Sequence, residues 1–178
     1  MLGAALTVGA ALLAACGGGE DAVSVPDGFI AEAGAGRVSI LTDDDGDGRA
    51  ENSLTFAEGL KQPLGLAFGP EGRLYVSIRG QVGILVDRDG DDVSDYMVGI
   101  IVDLPHGLHQ NNGIAFGPDG MLYVTNGSTC NVCDEEDWRS AAILRSDPNG
   151  NGLEVFASGL RNPYDLPSGC NYTDHRPS

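Results

Sequence analysis

Basic side chains are scarce in this sequence: ten lysines and arginines stand against twenty-six aspartates and glutamates, for a formal net charge of −16. Nucleic-acid affinity depends mainly on basic groups that displace counterions from phosphates, so this balance excludes nucleic acid and makes cations the natural partners. Long periodic helical stretches are missing too. No apolar run reaches the roughly 20 residues that a membrane-spanning helix needs. Cysteines number four, and neither a second Cys-x-x-Cys nor a nearby histidine pair accompanies Cys130 and Cys133, which argues against a zinc site. What is present is enough apolar material for one core, 42% hydrophobic against 20% charged residues in a chain of 178. Twenty-seven glycines are scattered along it, favouring many short strands joined by tight turns. The expected fold class is all-β.

Leu2 to Ala15 form an unbroken run of small and apolar residues, the length of a signal-peptide core. The run ends in Leu13-Ala14-Ala15-Cys16 and three glycines, which resembles the bacterial lipobox, where the cysteine is lipidated and becomes the mature N-terminus. No lysine or arginine precedes the run, and the first basic residue is Arg37, which points to a start further upstream. The expected organisation is a signal peptide with lipobox at 1–16, a flexible linker at 17–28, a folded region at 29–166 and a divergent, disordered tail at 167–178. Cys16 would anchor the protein to the membrane outside the cytoplasm as a lipoprotein. In that oxidising compartment Cys130 and Cys133 are expected to form a local disulfide. Nothing around Cys170 suggests a role.

An internal repeat organises the middle of the chain. Gly59-Leu60-Lys61-Gln62-Pro63 through Gly69-Pro70-Glu71-Gly72 to Leu74-Tyr75-Val76-Ser77 recurs without a gap forty-eight residues later, from Gly107 to Thr125. A third copy opens at Gly159-Leu160-Arg161-Asn162-Pro163 and stops matching after Leu166. Apolar alternation on both sides of a Gly-Pro-acid-Gly turn, Leu66 and Phe68 before it and Leu74 and Val76 after, predicts a hairpin. Val38 to Asp43, Val82 to Asp87 and Ile143 to Asp147 repeat as well and are read as outer strands. Four short strands in about 50 residues is the period of a β-propeller blade. Propellers close with about four to eight blades, so three blade equivalents are expected to be an N-terminal fragment that cannot complete its ring; the alternative is a short domain that oligomerises to close it.

Lys61, His109 and Arg161 hold the same repeat position, just before the innermost strand of each blade, so they are expected to converge at one end of the channel. His109-Gln110 through Gly117-Pro118-Asp119-Gly120 to Thr125, with Arg161-Asn162-Pro163, resembles the glucose/sorbosone dehydrogenase family, the soluble sugar dehydrogenases dependent on pyrroloquinoline quinone (PQQ). That resemblance runs from about Phe29 to Leu166 and implies a six-bladed propeller. It further implies that His109 is the general base taking a proton from a sugar hydroxyl while hydride passes to the quinone. Arg161 and Asn162 would hold PQQ and stabilise charge on its carbonyl oxygens. The aspartate that orients the family's histidine is matched here by Ser128, which accepts a hydrogen bond but carries no charge, unless Asp134 or Glu135 replaces it.

Two acidic loops repeat at spacing 1, 3, 5 and 9: Asp43, Asp45, Asp47 with Glu51, and Asp87, Asp89, Asp91 with Asp95. Hard oxygen ligands at alternate positions of a tight glycine-containing loop suit Ca2+, although position 12 holds Leu54 or Val98 where an EF-hand has glutamate. Plain Asp/Gly turns are the alternative. An insertion found only in the second copy, Cys130 to Trp138, is expected to overhang the His109 end, with Trp138 either stacking on sugar or packing the insertion down. Two functions follow as expectations. One is an exported PQQ-dependent dehydrogenase of a sugar or related alcohol or aldehyde, this chain being its inactive fragment, with the electron acceptor unassigned. The other is a non-catalytic, calcium-loaded surface propeller acting as a binding module.

Overall fold

The computed structural model describes residues 28–166 except Gly46 and Gly48, together with a two-residue strand at Leu12–Leu13. Cys16, Cys170, the remainder of the expected leader and linker, and the tail beyond Leu166 lie outside the described residues.

Three four-stranded antiparallel sheets follow one another, each in simple chain order. The first holds β1 (Leu12–Leu13), β2 (Gly28–Glu32), β3 (Arg37–Thr42) and β4 (Asn52–Ala57). The second holds β5 (Gly65–Phe68), β6 (Leu74–Ile78), β7 (Gln81–Val86) and β8 (Tyr96–Ile101). The third holds β9 (Asn111–Phe116), β10 (Leu122–Asn126), β11 (Ala142–Ser146) and β12 (Glu154–Ser158). The protein is all-β, and the sheets are consecutive blades of a partial β-propeller.

The repeat survives in the register of the strands. Ala67 pairs Tyr75 in the second blade, and Ala115 pairs Tyr123 in the third. Between them lies the Gly-Pro-acid-Gly turn, and its two glycines are needed for different reasons. A Cβ on Gly69 would come within 2.5 Å of the Tyr75 ring, and Gly72 takes a left-handed φ of 71°. A register shift between third and fourth strands recurs at one position in every blade, at Val38/Ser39, Val82/Gly83 and Ile143/Leu144. Such bulges add twist to the outer strand.

The strands read as outer, β3, β7 and β11, are the third of four; β4, β8 and β12 lie outside them. The sequence signal missed this because the outermost strands are half solvated and lack apolar regularity, as the exposure of Leu54, Tyr96, Val98 and Phe156 shows.

The core lies between blades. Val38, Ile40 and Phe56 of the first blade meet Leu74, Val76 and Leu85 of the second. Tyr75, Val82 and Ile84 of the second meet Ile114, Leu122 and Leu144 of the third. Tyr75 is fully buried, edge-on to Phe116 at 4.9 Å, and its hydroxyl donates to the Pro148 carbonyl at 3.1 Å. Burial pushes its phenol pKa up. Tyr123, its repeat mate, lies edge-on to Phe156 at 5.0 Å and donates its hydroxyl to Asp119 Oδ2 at 2.9 Å within its own hairpin, and Phe156 is 56% exposed. One residue type at one repeat position is thus buried where a following blade covers it and half-open where none is described.

Strand direction sorts the loops into two ends. Connections before β5 and β9, and the β6–β7 and β10–β11 turns, share one end; the Gly-Pro-acid-Gly turns and the acidic β3–β4 and β7–β8 loops share the other.

Candidate functional site

His109 lies just before β9, where the chain runs alongside the β10–β11 connection. Leu108 N–H donates to Thr129 O at 2.8 Å, His109 N–H to Ser128 O at 3.2 Å, and Gly127 N–H to Gln110 O at 3.0 Å. On the other flank, Ser128 N–H donates to Arg161 O at 2.8 Å, which brings in the loop of the third copy. Gly127 is the crossing point: a Cβ there would stand 2.5 Å from His109 Cβ and 2.8 Å from Asn162 Oδ1. Only glycine lets these three segments meet.

The surroundings of His109 settle its tautomer. Nδ1 stands 3.1 Å from the Ser128 carbonyl oxygen, which can only accept. It also stands 3.0 Å from Ser128 Oγ, whose own proton goes to the Cys130 carbonyl at 2.8 Å. Both partners are therefore acceptors, so Nδ1 carries the hydrogen and, in the neutral ring, Nε2 keeps a bare lone pair. Nε2 has no partner among the described residues. Ser128 is itself buried, which holds the arrangement rigid. The suggestion that Glu135 replaces the missing aspartate does not hold: its carboxylate accepts from Thr129 N–H at 2.9 Å and Thr129 Oγ1 at 2.7 Å.

Arg161 and Asn162 sit beside this imidazole as donors. The Asn162 Oδ1 accepts from Asn112 Nδ2 at 2.8 Å, which turns the Asn162 NH2 outward and leaves it without a partner among the described residues. The Arg161 guanidinium is exposed and donates to Asn131 Oδ1 in the inserted connection. Sequence reasoning missed Asn112, which orients Asn162, and Asn111, which anchors the strand after His109. Asn111 is fully buried; its Nδ2 reaches Ser77 Oγ at 2.7 Å, Ile78 O at 2.7 Å and Gln81 O at 3.0 Å, and its Oδ1 accepts from Gly80 N–H at 2.8 Å. Two adjacent asparagines opening a strand were the available signal.

Lys61 lines a cleft of ≈ 360 Å³ beside the second blade, with Arg79 and His106, and its loop adjoins that of His109, where Gln110 Nε2 reaches Gln62 O at 3.5 Å. Cys130 and Cys133 form a disulfide with Cα atoms 6.1 Å apart, at the His109 end. Trp138, in the same insertion, is 57% exposed, so it is not packed against the blade.

The acidic loops lie at the opposite end. Asp43, Asp45, Asp47 and Glu51 each offer a carboxylate oxygen within 4.8 Å of the others. In the second loop Asp87, Asp89 and Asp95 gather, whereas Asp91 does not, because its Oδ1 accepts from Val93 N–H at 3.0 Å in a tight turn. The charge of Asp91, then burial and the charges of Asp95 and Asp87, push Asp89's carboxyl above its ordinary value. A cation held there would act on the hairpin and not on His109.

These features define a class: a partial β-propeller that carries, at one end, an imidazole flanked by guanidinium and carboxamide donors. Residues 21–167 match the family described as a domain of unknown function, DUF7133, and the chain belongs to that family. Solved structures share the fold. A putative oxidoreductase (glucose dehydrogenase) from Thermus thermophilus is 28% identical, with a TM-score of 0.55 over 78% of this chain and 50% of that one. The PQQ-bound aldose sugar dehydrogenase of Streptomyces coelicolor is 19% identical, with a TM-score of 0.59 over 76% of this chain and 48% of that one. A calcium structure of the Trichoderma reesei carbohydrate-active enzyme family AA12 is 18% identical, with a TM-score of 0.61 over 92% and 40%. The chain thus spans half or less of the length of these structures. No curated protein matches it.

Proposed function

We propose that the protein carrying this chain is an exported, quinone-dependent dehydrogenase of a sugar or related alcohol or aldehyde, lipid-anchored through Cys16. The observation that carries the proposal is the bare Nε2 of His109 beside the exposed Arg161 guanidinium and the outward NH2 of Asn162. The likeness to the Thermus oxidoreductase, at 28% identity, supports it.

The donor set fits PQQ in kind. Guanidinium and carboxamide NH groups complement carbonyl and carboxylate oxygens and stabilise negative charge growing there. When bound, the quinone would supply a hydride acceptor. His109 would take the hydroxyl proton on Nε2, with Ser128 O and Oγ holding Nδ1–H and thereby the ring's direction. Ser128 orients without countercharge, so the imidazolium would rely on solvent and on its backbone carbonyl partner. Ca2+ in the Asp43, Asp45, Asp47 and Glu51 loop would brace the far end of the first blade.

The test is PQQ titration of the full gene product in calcium, followed by dye reduction with an aldose panel. Wild type should bind quinone and turn over, and His109→Ala should bind but lose at least about a hundredfold in rate, the usual worth of a general base. Absence of quinone binding with calcium binding intact would favour the second reading, a calcium-loaded binding module, for which the gathered carboxylates speak.

A further inference from the structure

Arg161 has one side-chain partner among the described residues, Asn131 Oδ1, and that partner comes from thirty positions away. Asn131 belongs to a four-residue ring closed by the Cys130–Cys133 disulfide. The base of the ring is tied down twice, by Ser128 Oγ donating to Cys130 O at 2.8 Å and by Glu135 accepting from Thr129 N–H and Oγ1 at 2.9 and 2.7 Å. Little freedom remains in how the ring presents Asn131. Its carboxamide oxygen is an uncharged acceptor, the same kind of atom as a quinone carbonyl oxygen.

We infer that Asn131 is an internal stand-in for ligand: its side chain occupies Arg161 in the free protein and is displaced by the carbonyl or carboxylate oxygen of the incoming quinone. This rests on the reading of Arg161 as the ligand-holding cation. The contact holds the guanidinium, and it competes with what the site must bind. A charged acceptor in its place would compete harder, because a charge-assisted bond to guanidinium is stronger than a neutral one.

Calorimetric titration of the full gene product with PQQ, at fixed calcium, tests this without recourse to turnover. Asn131→Ala should bind about fivefold more tightly, the size of one net hydrogen bond at an exposed site. Asn131→Asp should bind more weakly than wild type. In an Arg161→Ala background, where quinone binding is already weakened, both Asn131 substitutions should lose their effect. Asn131 is exposed, so these variants should keep the wild-type melting temperature. Weaker or unchanged binding by Asn131→Ala, with Arg161→Ala still damaging, would overturn the inference and leave the reading of Arg161 standing. Undiminished binding by Arg161→Ala would overturn both.

Discussion

Replacing Asn111 by alanine should be among the most damaging single changes available, although none of its side-chain partners is His109, Arg161 or Asn162. Its carboxamide, fully buried, shares two hydrogens among Ser77 Oγ, Ile78 O and Gln81 O and accepts the Gly80 N–H, all in the β6–β7 hairpin of the preceding blade. Alanine removes every one of these bonds and leaves backbone groups buried without partners. Each lost bond is worth about 1 kcal/mol net, and each orphaned buried group costs about 1–3 kcal/mol, so with some entry of water a loss of about 3–4 kcal/mol follows. That is a large share of the about 5–15 kcal/mol by which a domain is stable. For a chain of this size it corresponds to a fall of about 8–14 °C in Tm. Urea denaturation of wild type and Asn111→Ala measures the difference, with Leu108→Ala, at an exposed site in the same loop, as the control. A loss below about 1 kcal/mol, the worth of one hydrogen bond, would refute the claim that this asparagine stitches the blades together.

Gly127→Ala places a methyl group 2.5 Å from His109 Cβ and 2.8 Å from Asn162 Oδ1, so it should cost about 1–3 kcal/mol and weaken PQQ binding together; a variant that binds like wild type would show that these segments need not cross so closely. Asp137 is held below its ordinary pKa by Arg139, whose Nε and Nη2 donate to it at 3.0 and 2.7 Å. Its stabilisation is present above the unfolded carboxylate pKa and lost as pH falls through the lower folded value. Asp137→Asn should therefore be about 0.5–1 kcal/mol less stable at neutral pH, allowing for solvent screening, and the gap should close in acid. Asp89 has the opposite sign: its raised pKa means that charging it opposes folding as pH rises through that value. Calcium should accordingly raise Tm at neutral pH and lose this effect once the carboxylates are protonated, and an unchanged Tm at neutral pH would remove calcium from these loops.

How much of this was legible beforehand follows from what a repeat can report. Periodicity within a copy fixes hairpins, so Leu66 opposite Val76 and the Gly-Pro-acid-Gly turn were readable, and so was the shared end of His109 and Arg161. Packing between blades was not, because a repeat position does not fix its residue type: Asn111 and Pro163 hold matching positions, yet only Asn111 carries a carboxamide that can bond the preceding hairpin. For Lys61, repeat position located the backbone, whose loop adjoins that of His109, but not the cleft that the residue lines beside Arg79. Ser128 was recognised as the partner of His109, but its proton donation to Cys130 O, which settles the tautomer, needed the fold of an insertion with no counterpart in the first copy.

The central claim is that loops from successive repeats make one ligand site around His109. Nitrogen-edited NMR of the histidine rings during PQQ titration of the full gene product tests it most directly. The account predicts that the His109 Nε2 resonance, assigned by its absence in His109→Ala, shifts with the binding isotherm and stays still in Arg161→Ala at the same quinone concentrations. Quinone binding that leaves the His109 ring unmoved would contradict it.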